Sequence, residues 1–204
     1  MDIKMREPFV DFVKRELDKK TVLIACGLPA SCKTGIAELI ADIKGFKILS
    51  SDIIRLEVLK DEDIFDEKVA SSMDKRMLIY DEMFRRAGEL AEKGEAIILD
   101  ATFITQELRR RAAAIAAKNG MTLVIQQTQC PKEICLERIA KRRREDYTSN
   151  ALTEQAYMNN VKKFEQVDIE DLKALYPNLS IVHLLVDTSS AIAEEWAVIG
   201  KTIR

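Results

Sequence analysis

The chain has few of the residues that build metal centres or disulfide frameworks. Among its 204 residues there is one histidine, and the four cysteines, at positions 26, 32, 130 and 135, show no C-x-x-C spacing. A structural zinc site needs several closely spaced thiolate or imidazole ligands, and disulfide scaffolds are typical of short secreted chains. Both classes are disfavoured, and we expect reduced, mostly buried thiols.

Long apolar runs and an excess of one charge are missing too. No apolar stretch approaches the roughly 20 residues that cross a bilayer, and no basic and apolar leader opens the sequence, so we expect a cytoplasmic protein without a membrane partner. The formal net charge is only −2. Nucleic acid would therefore have to bind a local basic patch, and long polynucleotides are mildly disfavoured. No feature of the sequence indicates a protein partner.

The remaining composition is that of a folded domain. Hydrophobic residues make up 47% of the chain and charged residues 32%, which is enough apolar material for one sizeable core. The sequence shows no internal repeat, low-complexity tract or linker. We predict a single domain over residues 1–204.

The most informative stretch is residues 27–34, Gly-Leu-Pro-Ala-Ser-Cys-Lys-Thr. The phosphate-loop pattern is Gly, four free positions, then Gly-Lys-Ser/Thr, and Cys32 stands where the second glycine is expected. An apolar run over 21–26 precedes the stretch and apolar residues at helical spacing follow it, which predicts strand, loop and helix. Backbone N–H groups in such a loop attract phosphate oxygens. Lys33 would then bind the β- and γ-phosphates of ATP, and Thr34 would ligate Mg²⁺.

Two alternatives stay open for this loop. It would be an ordinary strand-to-helix turn if Lys33 faced solvent. The β-carbon of Cys32 would also weaken binding if it crowded the phosphates or resisted the backbone angles that glycine accepts freely.

Two further strand ends carry carboxylates. A short run over 46–49 leads into Asp52 and Arg55, and an apolar run over 96–99 ends at Asp100. The carboxyl ends of parallel strands share one edge of a sheet, where ligands bind. Asp52 would accept the proton of an acceptor hydroxyl, Arg55 would clamp an anionic group, and Asp100 would hold Arg55 or contact a magnesium-bound water. For both carboxylates the alternative is helix capping.

The rest of the chain alternates helices and strands. Helices are predicted over 4–19 and 66–92, after Thr105, Pro131 and Thr153, and at the end of the chain, and two more strands over 121–127 and 181–186. The last helix would bury its apolar positions Ile192, Trp196, Ile199 and Ile203. The adjacent residues Arg109, Arg110 and Arg111 would be scattered over a solvated helix surface.

A basic cluster follows the helix that Pro131 begins. It includes Arg138, Arg142 and the residues next to them, and it leads into a polar segment over 145–150. We predict a lid over about 141–160 that folds its arginines over transferring phosphates. The alternative is a solvated helix end.

These elements predict an α/β fold of the P-loop NTPase type. It would be a three-layer sandwich in which a five-stranded parallel sheet is flanked by helices and carries a small helical lid.

Three runs together resemble those of small P-loop kinases related to polynucleotide 5′-hydroxyl kinase, within the AAA-type ATP-binding kinases. They are the loop at 27–34, Ser-Ser-Asp-Ile-Ile-Arg at 50–55 and Leu-Asp-Ala-Thr at 99–102. Zeta-toxin-like and gluconate-kinase-like enzymes share this layout, and the resemblance covers nearly the whole chain. The Asp-x-x-Arg pair is its most informative part.

The resemblance implies ATP-dependent phosphorylation of a hydroxyl on a nucleic acid, nucleoside, sugar or small alcohol, with Mg²⁺. Asp52 would be the general base, Lys33 and Arg142 would complete the catalytic set, and Arg55, Asp100 and Thr102 would lie on the acceptor side. The nucleotide would be bound by Gly27, Pro29, Ala30, Ser31, Cys32, Lys33, Thr34, Arg138 and Arg142. The alternative function is a nucleotide-binding module whose catalysis is weakened by Cys32.

Overall fold

One seven-stranded sheet organises the molecule. The computed structural model describes residues 6–66, 68–69, 72–143 and 152–204. Strands β1 to β7 are Glu7–Pro8, Thr21–Cys26, Lys47–Ser50, Ile97–Asp100, Thr122–Gln129, Ile181–Asp187 and Ala197–Ile203. Their order across the sheet is β1-β7-β6-β5-β2-β4-β3. The five strands from β6 to β3 are parallel, whereas β7 and β1 are antiparallel additions at one edge.

Helices cover both faces of the sheet, so the predicted α/β sandwich is confirmed. Helices α1 to α8 are Phe9–Glu16, Lys33–Lys44, Ser51–Val58, Met73–Glu92, Gln106–Lys118, Lys132–Ala140, Glu154–Lys163 and Ile169–Leu175. Within the described ranges, none of these helices has the length and apolar character to cross a membrane.

The central strands are buried on both faces. All six residues of β2 and all four of β4 are buried, as expected of near-continuous apolar strands in a parallel sheet. Ile24 and Leu99 belong to a hydrophobic core that packs under α4 and α5. The neighbouring Leu23 and Ile98 point to the other face and belong to a second core under α1 and α2. Because β2 lies between β4 and β5, the loop that follows it emerges near the middle of the carboxyl edge.

The sheet has seven strands instead of the predicted five. One extra strand, β1, lies at Glu7–Pro8, within the helix predicted over 4–19, and the other, β7, replaces the predicted last helix, which is wrong. Residues 193–195 form one short 3₁₀ turn, and β7 follows it, pairing with β6. Ile192 and Ile203, expected in the core, are 54% and 55% exposed. The apolar spacing fitted a helix, but Val198, Ile199 and Thr202 favour a strand and Gly200 disfavours a helix. Pairing also covers the edge that β6 would otherwise expose.

Trp196 precedes β7 and is buried against α2. A β-carbon at Gly35 would lie 2.9 Å from Cη2 of the indole ring, so only glycine lets the ring pack on the first turn of this helix. The indole nitrogen donates to the carbonyl of Ser190 at 3.1 Å.

Two helices are shorter than predicted. The helix expected over 66–92 begins at Met73, where Ser72 accepts a hydrogen bond from the backbone N–H of Lys75, and the first helix spans only Phe9–Glu16. Thr153 caps α7 as predicted. The expected flap over 145–150 lies outside the described residues.

Candidate active site

The loop between β2 and α2 is fixed to β5 at its first residue. Gly27 has a φ of 146°, and a β-carbon there would lie 2.0 Å from Oγ1 of Thr128. The hydroxyl oxygens of Ser31 and Thr128 lie 2.5 Å apart, and Ser31 donates to the carbonyl of Leu28 at 2.7 Å. Side chains thus fill the back of the loop, and its front faces a cleft.

Cys32 adopts the backbone conformation that glycine would supply. Its φ is 62° and its ψ is 27°, and it forms the N-cap of α2. Ala30 is also left-handed, with a φ of 60°. Such a conformation costs a residue with a β-carbon roughly 1–2 kcal/mol. Burial raises the pKa of the Cys32 thiol, so the side chain is an uncharged group packed beside the apolar core.

Lys33 is held at the mouth of the loop by backbone and charge. Its Nζ donates to the carbonyl of Leu28 at 2.7 Å. Burial lowers the pKa of the ammonium group, while the carboxylates of Asp100 and Asp52 act in the opposite direction. Lys33 therefore interacts electrostatically with Asp100 and Asp52, the two carboxylates on which the predicted chemistry depends.

Thr34 and Asp100 form a hydrogen-bonded pair at the base of the cleft. The Thr34 hydroxyl donates to Oδ2 of Asp100 at 2.7 Å, and Asp100 ends β4 next to β2, in register with Ala25. Burial raises the pKa of Asp100, and the bond from Thr34 opposes this. A hydroxyl and a carboxylate oxygen side by side are the hard donors that suit Mg²⁺ in phosphate-loop sites. The residues present fit that ion.

Asp52 and Arg55 form a second pair on α3. Nη1 of Arg55 donates to Oδ1 of Asp52 at 2.5 Å. The N-cap of α3 is Ser50, and no side-chain hydrogen bond caps this end of the helix, so the capping alternative for Asp52 is not seen. Arg55 thus pairs with Asp52 and not with Asp100.

One cleft of about 260 Å³ joins the loop to both pairs. From the loop and the start of α2 it is lined by Pro29, Ala30, Cys32, Lys33 and Thr34. From the other predicted positions it is lined by Asp52, Arg55, Asp100, Thr102 and Arg142. Most of the residues expected at the site from the sequence therefore meet in one place.

Three predicted nucleotide-binding residues lie away from the cleft lining. Gly27 and Ser31 pack against Thr128 behind the loop. Arg138 was expected on the phosphates, but its guanidinium donates to the carbonyls of Ala30, Thr188, Ser189 and Ser190 at 2.9–3.3 Å. Arg138 therefore links the loop to the segment after β6, and these contacts are structural.

The sequence reading missed several cleft residues. Arg76, Ile79 and Tyr80 line the cleft from α4, and Asn160 lines it from α7. In the sequence, Arg76 lies among the charged residues of this helix, a pattern typical of a solvated face. The available signal was its spacing, since Arg76 lies three and four residues before the buried Ile79 and Tyr80 and so shares their side of the helix.

A comparison with known protein families identifies the family of this chain. A family model described as an AAA domain matches residues 22–167. The chain belongs to the AAA domain family. This match includes the loop, the Thr34–Asp100 and Asp52–Arg55 pairs and the whole predicted lid region, whereas a search of curated proteins finds no match.

Solved structures show which fold this AAA domain has. A gluconokinase from Sinorhizobium meliloti 1021 is 16% identical with a TM-score of 0.61, and the match covers 86% of each chain. A structure of the PezAT toxin–antitoxin system of Streptococcus pneumoniae is 14% identical with a TM-score of 0.57, over 94% of this chain and 76% of the other. Kti12 of Chaetomium thermophilum, in complex with ADP-AlF3, is 16% identical with a TM-score of 0.52, over 74% and 82%. The fold is that of P-loop kinases.

Proposed function

We propose that this protein transfers the γ-phosphoryl group of ATP to a hydroxyl acceptor. The observation that carries the proposal is the convergence in one cleft of Lys33, the Thr34–Asp100 pair and the Asp52–Arg55 pair. Phosphoryl transfer depends mainly on positioned charges, and these are the charges it needs.

Each residue has a defined task in this reaction. Lys33 binds the β- and γ-phosphate oxygens, and Arg142 stabilises charge that develops on the transferred group. Thr34 and Asp100 would hold Mg²⁺, which supplies further neutralisation of phosphate charge. Arg55 occupies Oδ1 of Asp52, and Oδ2 accepts the proton of the acceptor hydroxyl. The acceptor oxygen then forms a bond to the γ-phosphorus. The bond between the γ-phosphorus and the β,γ-bridging oxygen breaks, and ADP leaves.

The narrower assignment is to the group of kinases related to polynucleotide 5′-hydroxyl kinase. The Asp52–Arg55 pair supports it, since the pair is formed as the motif implies. The acceptor classes remain nucleic acid 5′-hydroxyls, nucleosides, sugars and small alcohols. The gluconokinase fold neighbour and a sugar kinase from Janibacter sp. HTCC2649 add weight to the small acceptors. We place the protein in the cytoplasm, where ATP is available.

The test is transfer of radiolabelled γ-phosphate from ATP to those four acceptor classes. We expect Lys33→Met to lower turnover by at least roughly 10²-fold, and Asp52→Asn to lose transfer while it still binds nucleotide. Lys118→Met is the matched control, because Lys118 is an exposed lysine paired with Glu92. Full activity in Lys33→Met would contradict the proposal.

A second candidate function is a nucleotide-binding module with little catalysis. The left-handed Cys32 favours it, because a residue with a β-carbon lines the cleft at the position where a glycine is usual. The Kti12 neighbour was solved with ADP-AlF3, which supports nucleotide binding by this candidate. A wild type that binds ATP without transferring phosphate, together with an active Cys32→Gly variant, would favour this candidate.

A further inference from the structure

The cleft has a cationic wall on the side away from the phosphate loop. Arg55 on α3 and Arg76 on α4 line it together with Ile79. The same three residues also line a small cavity of about 20 Å³ under α3 and α4, whose other walls include Leu59 and Ile64. No residue of the phosphate loop borders that cavity. The two guanidinium groups therefore stand at the acceptor end of the cleft.

The two arginines differ in how their charge is compensated. Arg55 donates to Asp52 at 2.5 Å. Nη1 of Arg76 is buried and has no hydrogen-bond partner in the part of the chain that the structure describes. A buried N–H group of a charged side chain destabilises the fold when it has no acceptor. An oxygen ligand that accepts from this atom would remove that free-energy cost.

The charges of the cleft point to the kind of ligand. Under the proposed function, Lys33 binds the phosphates, and Thr34 and Asp100 would hold the metal. Asp52 is hydrogen-bonded to Arg55. Nη1 of Arg76 has no carboxylate oxygen or other acceptor bonded to it among the described residues. A planar guanidinium binds phosphate and carboxylate through two parallel hydrogen bonds. A neutral polyol would leave its charge uncompensated.

We propose that Arg76 is a specificity residue that binds an oxyanionic group, phosphate or carboxylate, carried by the hydroxyl acceptor. This inference rests on the proposed function and narrows it. The substrate class is a compact hydroxyl compound with one oxyanion, whose hydroxyl reaches Asp52 while its anion lies against Arg76.

Turnover with matched acceptor pairs tests the specificity. The pairs are glycerol against glycerol 3-phosphate and glycerate, and a nucleoside against its 3′-monophosphate; the two kinds of anion separate phosphate from carboxylate as the preferred group. We expect the wild type to favour the oxyanionic member by about tenfold or more in kcat/KM, and Arg76→Gln to remove that preference mainly through KM. Arg76→Lys should restore only part of it.

Arg86→Gln is the matched control on the same helix, because Arg86 bonds to Glu57 and Glu82 outside the cleft. It should leave the preference unchanged. Equal use of neutral and oxyanionic acceptors by the wild type, or an unchanged preference in Arg76→Gln, would overturn the inference.

A binding experiment separates this inference from the kinase proposal. The protein is saturated with Mg²⁺ and a non-hydrolysable ATP analogue, and inorganic phosphate is titrated by calorimetry. We expect the wild type to bind this second anion and Arg76→Gln to bind it at least about tenfold more weakly. If the wild type and Arg76→Gln bind phosphate equally, or neither binds it, the anion site is refuted whatever the transfer assay shows. Phosphate binding that requires Arg76, in a protein that transfers phosphate to no acceptor, keeps the anion site and refutes the kinase proposal.

Discussion

Cys32 holds a conformation that side chains rarely adopt, with a φ of 62°. Replacing it with glycine removes that strain, although a more flexible unfolded chain offsets part of the gain. We expect Cys32→Gly to raise the free energy of unfolding by up to about 1 kcal/mol and to tighten ATP binding. Urea unfolding and nucleotide titration measure both effects.

Cys32→Ala is the control for this prediction, because it removes the thiol and keeps the β-carbon. It should leave the strain in place and bind ATP no more tightly than the wild type. If the alanine and glycine variants behaved alike, the thiol and not the backbone would be responsible.

Single residues also show which site positions the sequence can predict and which it cannot. Lys33, Thr34, Asp52 and Asp100 were placed in one site because motif spacing and strand ends bring them to one sheet edge. Arg138, in the last turn of α6, is harder to assign, because an arginine near a helix end looks the same in sequence whether it binds phosphates or backbone carbonyls. Only the path of the segment after β6 decides between these roles, and local sequence does not encode it.

At the scale of elements, Arg109 makes tertiary contacts that the local sequence pattern does not predict. It was expected on a solvated surface, but it is fully buried, with 0% of its surface exposed. Its guanidinium donates to the carbonyls of Glu165 at 2.7 Å and Gln166 at 3.0 Å, so it joins α5 to the segment between α7 and α8. The acceptors lie more than 50 residues away in the chain.

We expect Arg109→Met to lower the free energy of unfolding by about 2–4 kcal/mol, because buried carbonyls lose a charged donor. Arg110→Met removes a neighbouring surface ion pair with Asp171 and should cost less than about 1 kcal/mol. Urea unfolding compares the two variants. Equal losses would show that Arg109 stabilises no more than an ordinary surface charge does.

Short apolar runs predicted the five parallel strands, but the helix predicted at the end of the chain is wrong at β7. Apolar spacings of three and four residues fit both a helix and a strand that follows a short turn. The deciding factor was the open edge of β6, which is a property of the assembled sheet.

At the scale of the whole molecule, Asp100 makes stability depend on pH. Burial raises its pKa in the folded state. Its contribution to stability is therefore greatest below the ordinary aspartate pKa of about 3.9 and is lost as the pH rises through the raised value. We expect the free energy of unfolding of Asp100→Asn, relative to wild type, to increase between about pH 4 and pH 8. Urea unfolding across this range measures the difference.

Asp171→Asn is the control with the opposite sign. Arg110 lowers the pKa of Asp171, so its contribution is present above the ordinary aspartate pKa and is lost as the pH falls through the lowered value. Relative to wild type, this variant should lose stability as the pH rises up to the ordinary aspartate pKa, and the difference should then stay level between about pH 4 and pH 8. A flat difference for Asp100→Asn would contradict the assigned direction.

The position of Trp196 gives the molecule a built-in optical reporter. It is the single tryptophan of the chain, and its indole nitrogen shares the Ser190 carbonyl with Arg138, which also donates to Ala30 in the loop. Any occupant that shifts the loop also changes the surroundings of this one fluorophore. If nucleotide binds the loop as proposed, we expect the emission of the unlabelled protein to change on binding and to recover on release.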